Sequence, residues 1–316
     1  MNSQFAKDYS QAAKDSQSAK VSQTAKDSIA ADNTETVVIE DYETPLSDFG
    51  GTTEASGVNV EQNGETVIDY SNTSDGYIMV NWTGDGSAKI KVLLKDPAGL
   101  TYQYDLHPGR GYEVFPLTSG DGNYNVGVYK NISGTKYSTV LTKDISVSLS
   151  SELAPYVRPN QYVDYNYQSA AIEKAADLCS GKDDVLDKVA AVYDYVINNL
   201  SYDKNKAATV QSGYIPVIDE TLSTGMGICF DYSSLMAAML RSQNVPTKLV
   251  VGYAQKAYHA WINVWSEESG WIAQEIQFNG NEWKLMDPTF ASTGGQSDSV
   301  MQYIGNGKNY RPKYQY

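Results

Sequence analysis

One stretch, residues 224–240, limits the fold of this chain more than any other. Gly225 and Gly227 punctuate a loop that runs into Cys229, and an apolar helical pattern follows at once. Cys229 therefore falls on the predicted first turn of a buried helix, where free amides and the positive end of the helix dipole favour a thiolate. The pattern indicates a cysteine nucleophile, with a packed thiol on an apolar helix as the alternative.

Two residues downstream extend this interpretation. His259 opens a predicted strand, and Asp287 ends a later one just before Pro288. Cysteine attack on a carbonyl needs a thiolate, a base that later protonates the leaving group, and a group that fixes the tautomer of the base. Since the other histidine, His107, falls in the N-terminal half, His259 is the candidate base. Asp287 is the candidate that orients it.

Composition divides the chain into three parts. Residues 1–56 are predicted to be a disordered polar tail and linker, because their Ala, Lys, Ser and Gln repeats cannot bury enough surface to offset ordering entropy. Residues 57–150 alternate apolar and polar side chains, with turn signals about every 8–12 residues, which is typical of an all-β, immunoglobulin-like sandwich. Residues 151–316 place helices before strands, which predicts an α+β domain.

The same patterns predict individual elements. The sandwich strands are expected at Val58–Gln62, Thr66–Tyr70, Tyr77–Trp82, Ala88–Lys95, Thr101–Leu106, Gly111–Pro116, Gly122–Tyr129 and Ser138–Ser148. The helices are expected at Gln168–Cys179, Asp184–Leu200 and Cys229–Gln243. Further strands are expected at Val37–Ile39, Thr247–Ala254, His259–Ser266, Gly270–Gln277 and Trp283–Asp287, and residues 201–224 are expected to form a loop.

Several residues allow two interpretations. The strand tyrosines could form a sugar- or peptide-binding face, or be half-buried residues that keep their hydroxyls wet: Tyr102, Tyr104, Tyr112, Tyr124, Tyr129 and Tyr137. His107, just before a Pro-Gly turn, is expected to be an exposed loop histidine.

Cys179 and Cys229 are the only cysteines. They form a disulfide, or Cys229 is free and Cys179 is a small buried apolar side chain.

The net charge of the chain limits the classes of partner that it can bind. A net charge of −14 and a pI of about 4.5 argue against nucleic acid or an anionic membrane. No apolar run is long enough for a transmembrane helix, and residues 1–30 do not resemble a signal peptide. A composition rich in Tyr, Ser, Thr, Asn and Gly predicts an extracellular or cell-surface protein whose leader has been removed. The alternative is a cytosolic protein with a flexible tail.

Three motifs in this order resemble those of the transglutaminase-like superfamily. They are Gly-Ile-Cys at 227–229, His-Ala-Trp at 259–261 and Asp-Pro-Thr at 287–289, and the resemblance covers about residues 183–290. It implies a bacterial, papain-like α+β core in which the cysteine helix packs on an antiparallel sheet. It also implies Cys229 as nucleophile, His259 as general base and acid, and Asp287 as the orienting residue.

The resemblance implies an acyl-transfer enzyme that acts on peptide or amide bonds through a thioester. A protease or amidase is favoured over a cross-linking transglutaminase, because the sequence contains no acidic calcium loop with ligand spacing. No metal ligand set, phosphate loop or dinucleotide fingerprint is present either, so no cofactor is expected. The expected partners are a protein or peptide substrate and a cell-wall or surface partner of the sandwich. The alternative is an inactive adhesion or scaffold protein in which the sandwich is the binding module.

Candidates for the oxyanion hole come from the cysteine turn and the segment before it. The backbone N–H of Cys229 is one expected donor. Tyr202, Gln211 and Tyr214 are candidates for a second donor, and each could equally serve ordinary loop packing.

Three more residues are predicted near the cleft. Tyr258 is expected to line it, and Trp261 is expected either to wall it or to pack in the core. Asp231 suits the helix dipole but would disfavour a nearby thiolate, so its carboxylate is expected to point away.

Overall fold

A computed structural model of the protein describes residues 51–254, 256–272 and 310–316. The predicted tail over residues 1–50, the strands at 37–39 and 283–287, and Asp287 lie outside the described residues. Within these ranges, none of the helices combines the length and the apolar character that a bilayer crossing requires.

Two four-stranded antiparallel sheets form residues 60–147. Their strand orders are β1-β2-β3-β6 and β5-β4-β7-β8. The bounds are β1 (Val60–Gln62), β2 (Thr66–Asp69), β3 (Tyr77–Trp82), β4 (Ile90–Lys95), β5 (Thr101–Leu106), β6 (Tyr112–Pro116), β7 (Gly122–Ser133) and β8 (Lys136–Val147). Apolar side chains of both sheets, such as Ile78 and Val92, belong to one continuous core. The immunoglobulin-like class of this part stays a prediction.

Strands β4 and β5 bury every second side chain. In β4, Ile90, Val92 and Leu94 are buried, whereas Lys95 is exposed. The neighbouring strand β5 follows the same period, as expected for sheets that cover one core.

Tyr102, Tyr104 and Tyr124 fill this core rather than an exposed binding face. His107 lies in a loop as expected, but it is only partly exposed. Its side chain is about one-third exposed, and its Nδ1 lies 3.1 Å from the carboxylate of Glu113.

The C-terminal part has five helices and a mixed set of strands within the described residues. The helices are α1 (Ala170–Cys179), α2 (Val185–Asn199), α3 (Lys204–Thr209), α4 (Ile218–Thr224) and α5 (Cys229–Ser242). The strands are β9 (Ser201–Tyr202), β10 (Met226–Gly227), β11 (Thr247–Ala254), β12 (Ala257–Ser266), β13 (Gly270–Ile272) and β14 (Tyr310–Gln315). An antiparallel sheet runs β13-β12-β11-β14, and β9 pairs with β10 in parallel.

The expectation of a loop over residues 201–224 is wrong, because this segment contains β9, α3 and α4. The carboxylate of Asp203 caps α3 by accepting the backbone N–H of Lys206 at 2.8 Å. Gly225 ends α4 in the left-handed conformation, with φ of 61°. Both helices are under two turns long, too short to show an apolar stripe.

Helix α5 is the centre of the C-terminal part. Every residue of α5 except Phe230 is buried. It packs against α1, α2 and α4 as well as against strands β11 and β12. A helix that is buried on all sides needs such cover, and the sequence provides it with helices before and strands after.

A buried arginine near the end of α5 ties three segments together. The guanidinium of Arg241 donates to the carbonyl oxygens of Thr247, Arg158 and Tyr316 at 2.9, 2.8 and 2.7 Å. Burial lowers the pKa of Arg241 to about 10, so it still carries its charge at neutral pH.

The connection between the two parts is buried. The hydroxyl of Tyr156 donates to the carbonyl oxygen of Thr118 at 2.9 Å. The ring of Tyr162 lies 5.6 Å from that of Tyr104 and 4.8 Å from that of Tyr316, measured between centroids. We call these three rings, Tyr104, Tyr162 and Tyr316, the tyrosine seam.

Gly252 lies where the register of β11 and β14 shifts, opposite His259 of β12. A Cβ atom at Gly252 would overlap the carbonyl oxygen of Arg311. We therefore expect Gly252→Ala to lower the free energy of unfolding by about 1–3 kcal/mol, because β14 must shift. Urea unfolding measures this change. The control is Gly86→Ala, where no heavy atom lies within 4 Å of the added Cβ, and equal stability of the two variants would contradict the prediction.

Candidate active site

Cys229 is the first residue of α5, and only 5% of it is exposed. The backbone N–H at this position has no carbonyl partner within its own helix. It is therefore suited to receive the oxygen of a substrate carbonyl.

Both cysteines are free thiols, so the disulfide alternative is wrong. Burial raises the pKa of the Cys179 thiol. Cys179 is therefore mostly protonated at neutral pH and a poor nucleophile, as expected of a packed thiol.

The short parallel pair of β9 and β10 fixes the approach to the cysteine. Tyr202 is in register with Gly227, two residues before Cys229. The backbone N–H of Asp203 donates to the carbonyl oxygen of Gly227 at 2.8 Å. A Cβ atom at Gly227 would come within 2.7 Å of the Cβ of Asp231, so this position requires glycine.

Asp231 is fully buried, and its carboxylate turns back over the start of α5. It accepts the backbone N–H of Ile228 at 2.8 Å and the hydroxyl of Tyr214 at 2.5 Å. The ammonium of Lys206 lies 2.9 Å from it. The carboxylate is thus neutralised by Lys206, which reduces its effect on a thiolate nearby.

Sequence reasoning missed Lys206. An acidic residue three positions after the helix cap is a recognisable signal, because its side chain can accept the N–H of the cap residue. The cation that pairs with Asp231 comes from α3, a helix that was not predicted. No local pattern connects the two residues.

His259 is buried in β12, one of the two strands against which α5 packs. Its ring stacks on that of Trp261, with centroids 6.4 Å apart. Trp261 is also buried and contacts the ring of Tyr310, so it belongs to the core rather than to an open cleft wall. Asp287 lies outside the described residues, so its part in orienting the imidazole stays a prediction.

Burial raises the pKa values of two phenols in this part of the protein. Burial raises the pKa of Tyr202 well above its ordinary value, and the nearby Cys229 adds to this shift. Burial also raises the pKa of Tyr258 to about 12, with smaller contributions from neighbouring tyrosines and Cys229. Both hydroxyls therefore keep their protons at neutral pH.

The three candidates for the second oxyanion donor differ in their contacts. Tyr202 lies beside the cysteine turn, whereas the hydroxyl of Tyr214 is used by Asp231. Gln211 is exposed, and its side-chain amide donates to the carbonyl oxygen of Thr209 at 2.7 Å. Tyr202 is in register with Gly227 of the cysteine turn, so it stays the candidate donor.

In the ranges that the structure describes, no group of three or more His, Cys, Asp or Glu side chains is placed to hold a metal ion.

Removing the cation of Lys206 tests the role of the Asp231 network. We expect Lys206→Met to lower the free energy of unfolding by about 1–3 kcal/mol, because a buried carboxylate then loses its counter-ion. Lys204→Met is the matched control, since Lys204 is an exposed lysine of the same helix. Urea unfolding compares the two variants at pH 7, and equal stability would show that the ion pair contributes nothing.

The chain is similar to several known proteins. Over 120 residues the chain is 30% identical to the uncharacterized protein YebA of Bacillus subtilis (strain 168), a match that covers 32% of this chain and 16% of YebA. Among solved structures, a candidate cysteine protease from Cytophaga hutchinsonii is 17% identical, with 73% of this chain and 69% of that chain covered at a TM-score of 0.34. Red sea bream transglutaminase is 14% identical, with 67% and 48% covered at a TM-score of 0.28.

The family comparison bears on the segment that holds the site. Residues 172–276 match the family model described as the transglutaminase-like superfamily, a range that includes Cys229 and His259. The resemblance read from the motifs is confirmed for this segment. The chain therefore contains a transglutaminase-like domain at residues 172–276.

Proposed function

We propose that the protein is a cysteine-dependent acyl-transfer enzyme that acts on peptide or amide bonds. One observation carries the proposal: Cys229 opens a buried helix that packs on the strand holding the buried His259, inside the transglutaminase-like segment. In this proposal Cys229 is the nucleophile and His259 is the general base and acid. Asp287 orients the imidazole.

The proposed reaction has two halves. His259 takes the proton of the Cys229 thiol as the sulfur attacks the carbonyl carbon of the substrate. The developing oxyanion is bound by the backbone N–H of Cys229 and the hydroxyl of Tyr202. His259 then gives its proton to the leaving amine as the C–N bond breaks, which leaves a thioester. Water or a second amine attacks the thioester and loses a proton to His259, and the thiolate departs.

We propose hydrolysis as the main outcome. Water needs no shaped acceptor site, whereas selective transfer to an amine needs a pocket that excludes water. We also propose, from composition, that the protein lies outside the cell. Its β-strand part would bind a partner at the cell surface.

A peptide library incubated with a tagged primary amine tests the proposal. We expect cleaved peptides to exceed amine-tagged ones, and we expect Cys229→Ala to lose about 10³-fold or more of the activity. Cys179→Ala is the control, since it removes the other free, buried thiol and should keep full activity. If neither product forms, or if Cys229→Ala is as active as the unsubstituted chain, the enzyme proposal is wrong and the alternative of an inactive scaffold protein is favoured. An excess of tagged product would instead identify a transglutaminase.

The proposed role of Tyr202 has a separate test. We expect Tyr202→Phe to lower kcat by roughly 10²-fold with little change in KM, because an oxyanion donor acts mainly in the transition state. Tyr195→Phe, at a half-buried tyrosine of α2, is the control and should leave both constants unchanged. Steady-state kinetics on one cleaved peptide gives both values. An unchanged kcat for Tyr202→Phe would remove it from the oxyanion hole.

A further inference from the structure

One short stretch of the chain contacts both the β-sheet part and the cysteine helix. It lies between α3 and α4 and contains Gly213 and Tyr214, which follow each other in sequence. The hydroxyl of Tyr214 donates to Oδ1 of Asp231, on the first turn of α5, at 2.5 Å. A Cβ atom at Gly213 would lie 2.5 Å from Oδ2 of Asp105 in β5, so the backbone of Gly213 packs closely against that carboxylate. The stretch therefore connects residues of the two parts.

The β-sheet end of this connection is fixed. Oδ1 of Asp105 lies 2.7 Å from the ammonium of Lys91, and the backbone carbonyl of Asp105 accepts the side-chain amide of Gln161 at 2.7 Å. Gly213 has a φ of 85°, in the region that favours glycine. Because Asp105 is held from two sides, it presents a fixed surface to the backbone of Gly213 and so limits the position of Tyr214.

At the other end, the two oxygens of the Asp231 carboxylate have different partners. Oδ2 accepts the backbone N–H of Ile228 at 2.8 Å and lies 2.9 Å from the ammonium of Lys206. Oδ1 accepts the hydroxyl of Tyr214. Burial raises the pKa of Tyr214 well above its ordinary value, and the hydrogen bond to Asp231 raises it further, so the phenol stays protonated and is the donor. Without this hydroxyl Oδ1 would lose its hydrogen bond inside the fold, so Tyr214 helps to fix the carboxylate that holds the residue before Cys229.

We infer that Tyr214 is a positioning residue for the proposed reaction and that the β-sheet part holds it in place through Gly213. This inference rests on the proposed function of Cys229. Tyr214 acts through Asp231, whose hydrogen bond to Ile228 fixes the turn that carries the Cys229 backbone N–H. The β-sheet part is then a component of the enzyme, rather than only a module that binds a partner.

Tyr214→Phe tests the role of the hydroxyl on the full chain. It keeps the ring, whose centroid lies 4.6 Å from the ammonium of Lys206. We expect kcat for a cleaved peptide to fall about tenfold with little change in KM, because a displaced oxyanion donor weakens mainly transition-state binding. Tyr195→Phe is the matched control, since the ammonium of Lys174 lies over its ring at 5.9 Å, and it should leave both constants unchanged.

A second measurement on the same variants needs no turnover. Iodoacetamide reacts with both free thiols, Cys179 and Cys229, and mass spectrometry gives the two rates in one sample. We expect Tyr214→Phe to slow the labelling of Cys229 by about two- to fivefold, because a carboxylate two residues away loses a hydrogen bond that offsets part of its charge. The rate at Cys179 should not change. If the unsubstituted chain turns over no peptide, the enzyme proposal fails, and this rate alone decides whether Tyr214 acts on Cys229.

A double-mutant cycle tests the role of the β-sheet part. Gly213→Ala should lower kcat about tenfold and slow the labelling of Cys229, because the added Cβ overlaps Asp105 and the backbone is strained. Adding Asp105→Ala removes the overlap and should recover about threefold of the lost kcat, whereas Asp105→Ala alone should not raise kcat. Gly99→Ala is the control for strain and should leave kcat unchanged, since its φ of 90° is similar and no heavy atom lies within 4 Å of its added Cβ.

Two results would overturn the inference. If Tyr214→Phe matches Tyr195→Phe in kcat and in the labelling of Cys229, Tyr214 is not a positioning residue. If the effects of Gly213→Ala and Asp105→Ala simply add, the β-sheet part does not hold Tyr214 in place. The thermal midpoint of each variant is measured as well, so that a loss of folded protein is not counted as a loss of kcat.

Discussion

The C-terminal part depends on burying a helix that carries a charge near each end. Burial of an ion costs several kcal/mol unless its hydrogen-bonding capacity is met within the fold. The carboxylate of Asp231, near the start of α5, pairs with Lys206 and accepts the hydroxyl of Tyr214. The guanidinium of Arg241, near the end of α5, donates to three backbone carbonyls, including that of Tyr316. Short helix α3, the connection after the sheets and the C-terminal strand are therefore fixed to one helix.

This constraint also shapes the candidate site. Cys229, the proposed nucleophile, is the first residue of α5, so the contacts that hold Asp231 hold Cys229 as well. The carboxylate of Asp231 lies two residues from Cys229 and would disfavour a thiolate there. Its ion pair with Lys206 reduces this repulsion. Gly227 gives the Asp231 side chain room to turn back, and its pairing with Tyr202 brings a phenol to the same turn. Stability of the helix start and chemistry at the cysteine thus use the same residues.

The strands and long helices followed from local periodicity, as Tyr77–Trp82 and Thr247–Ala254 illustrate, since they begin and end as predicted. Helices α3 and α4 were missed because a helix of one or two turns is decided by its caps and neighbours rather than by an apolar stripe. Contacts such as Lys206 with Asp231 join distant segments and leave no trace in local sequence. The motif around Cys229 and His259 identified the family, but only the fold showed that Tyr202, unlike Gln211 and Tyr214, pairs with the cysteine turn.

The tyrosine seam has a consequence for how this chain can be divided. Tyr104 comes from the sheets, Tyr162 from the connection, and Tyr316 from the end of the chain, and each ring covers the others. A cut after Ser150 would expose these aromatic faces on both fragments and create apolar surfaces that favour aggregation. The two parts should therefore behave as one unit in expression, proteolysis and unfolding, and neither is suited to transfer alone into another protein.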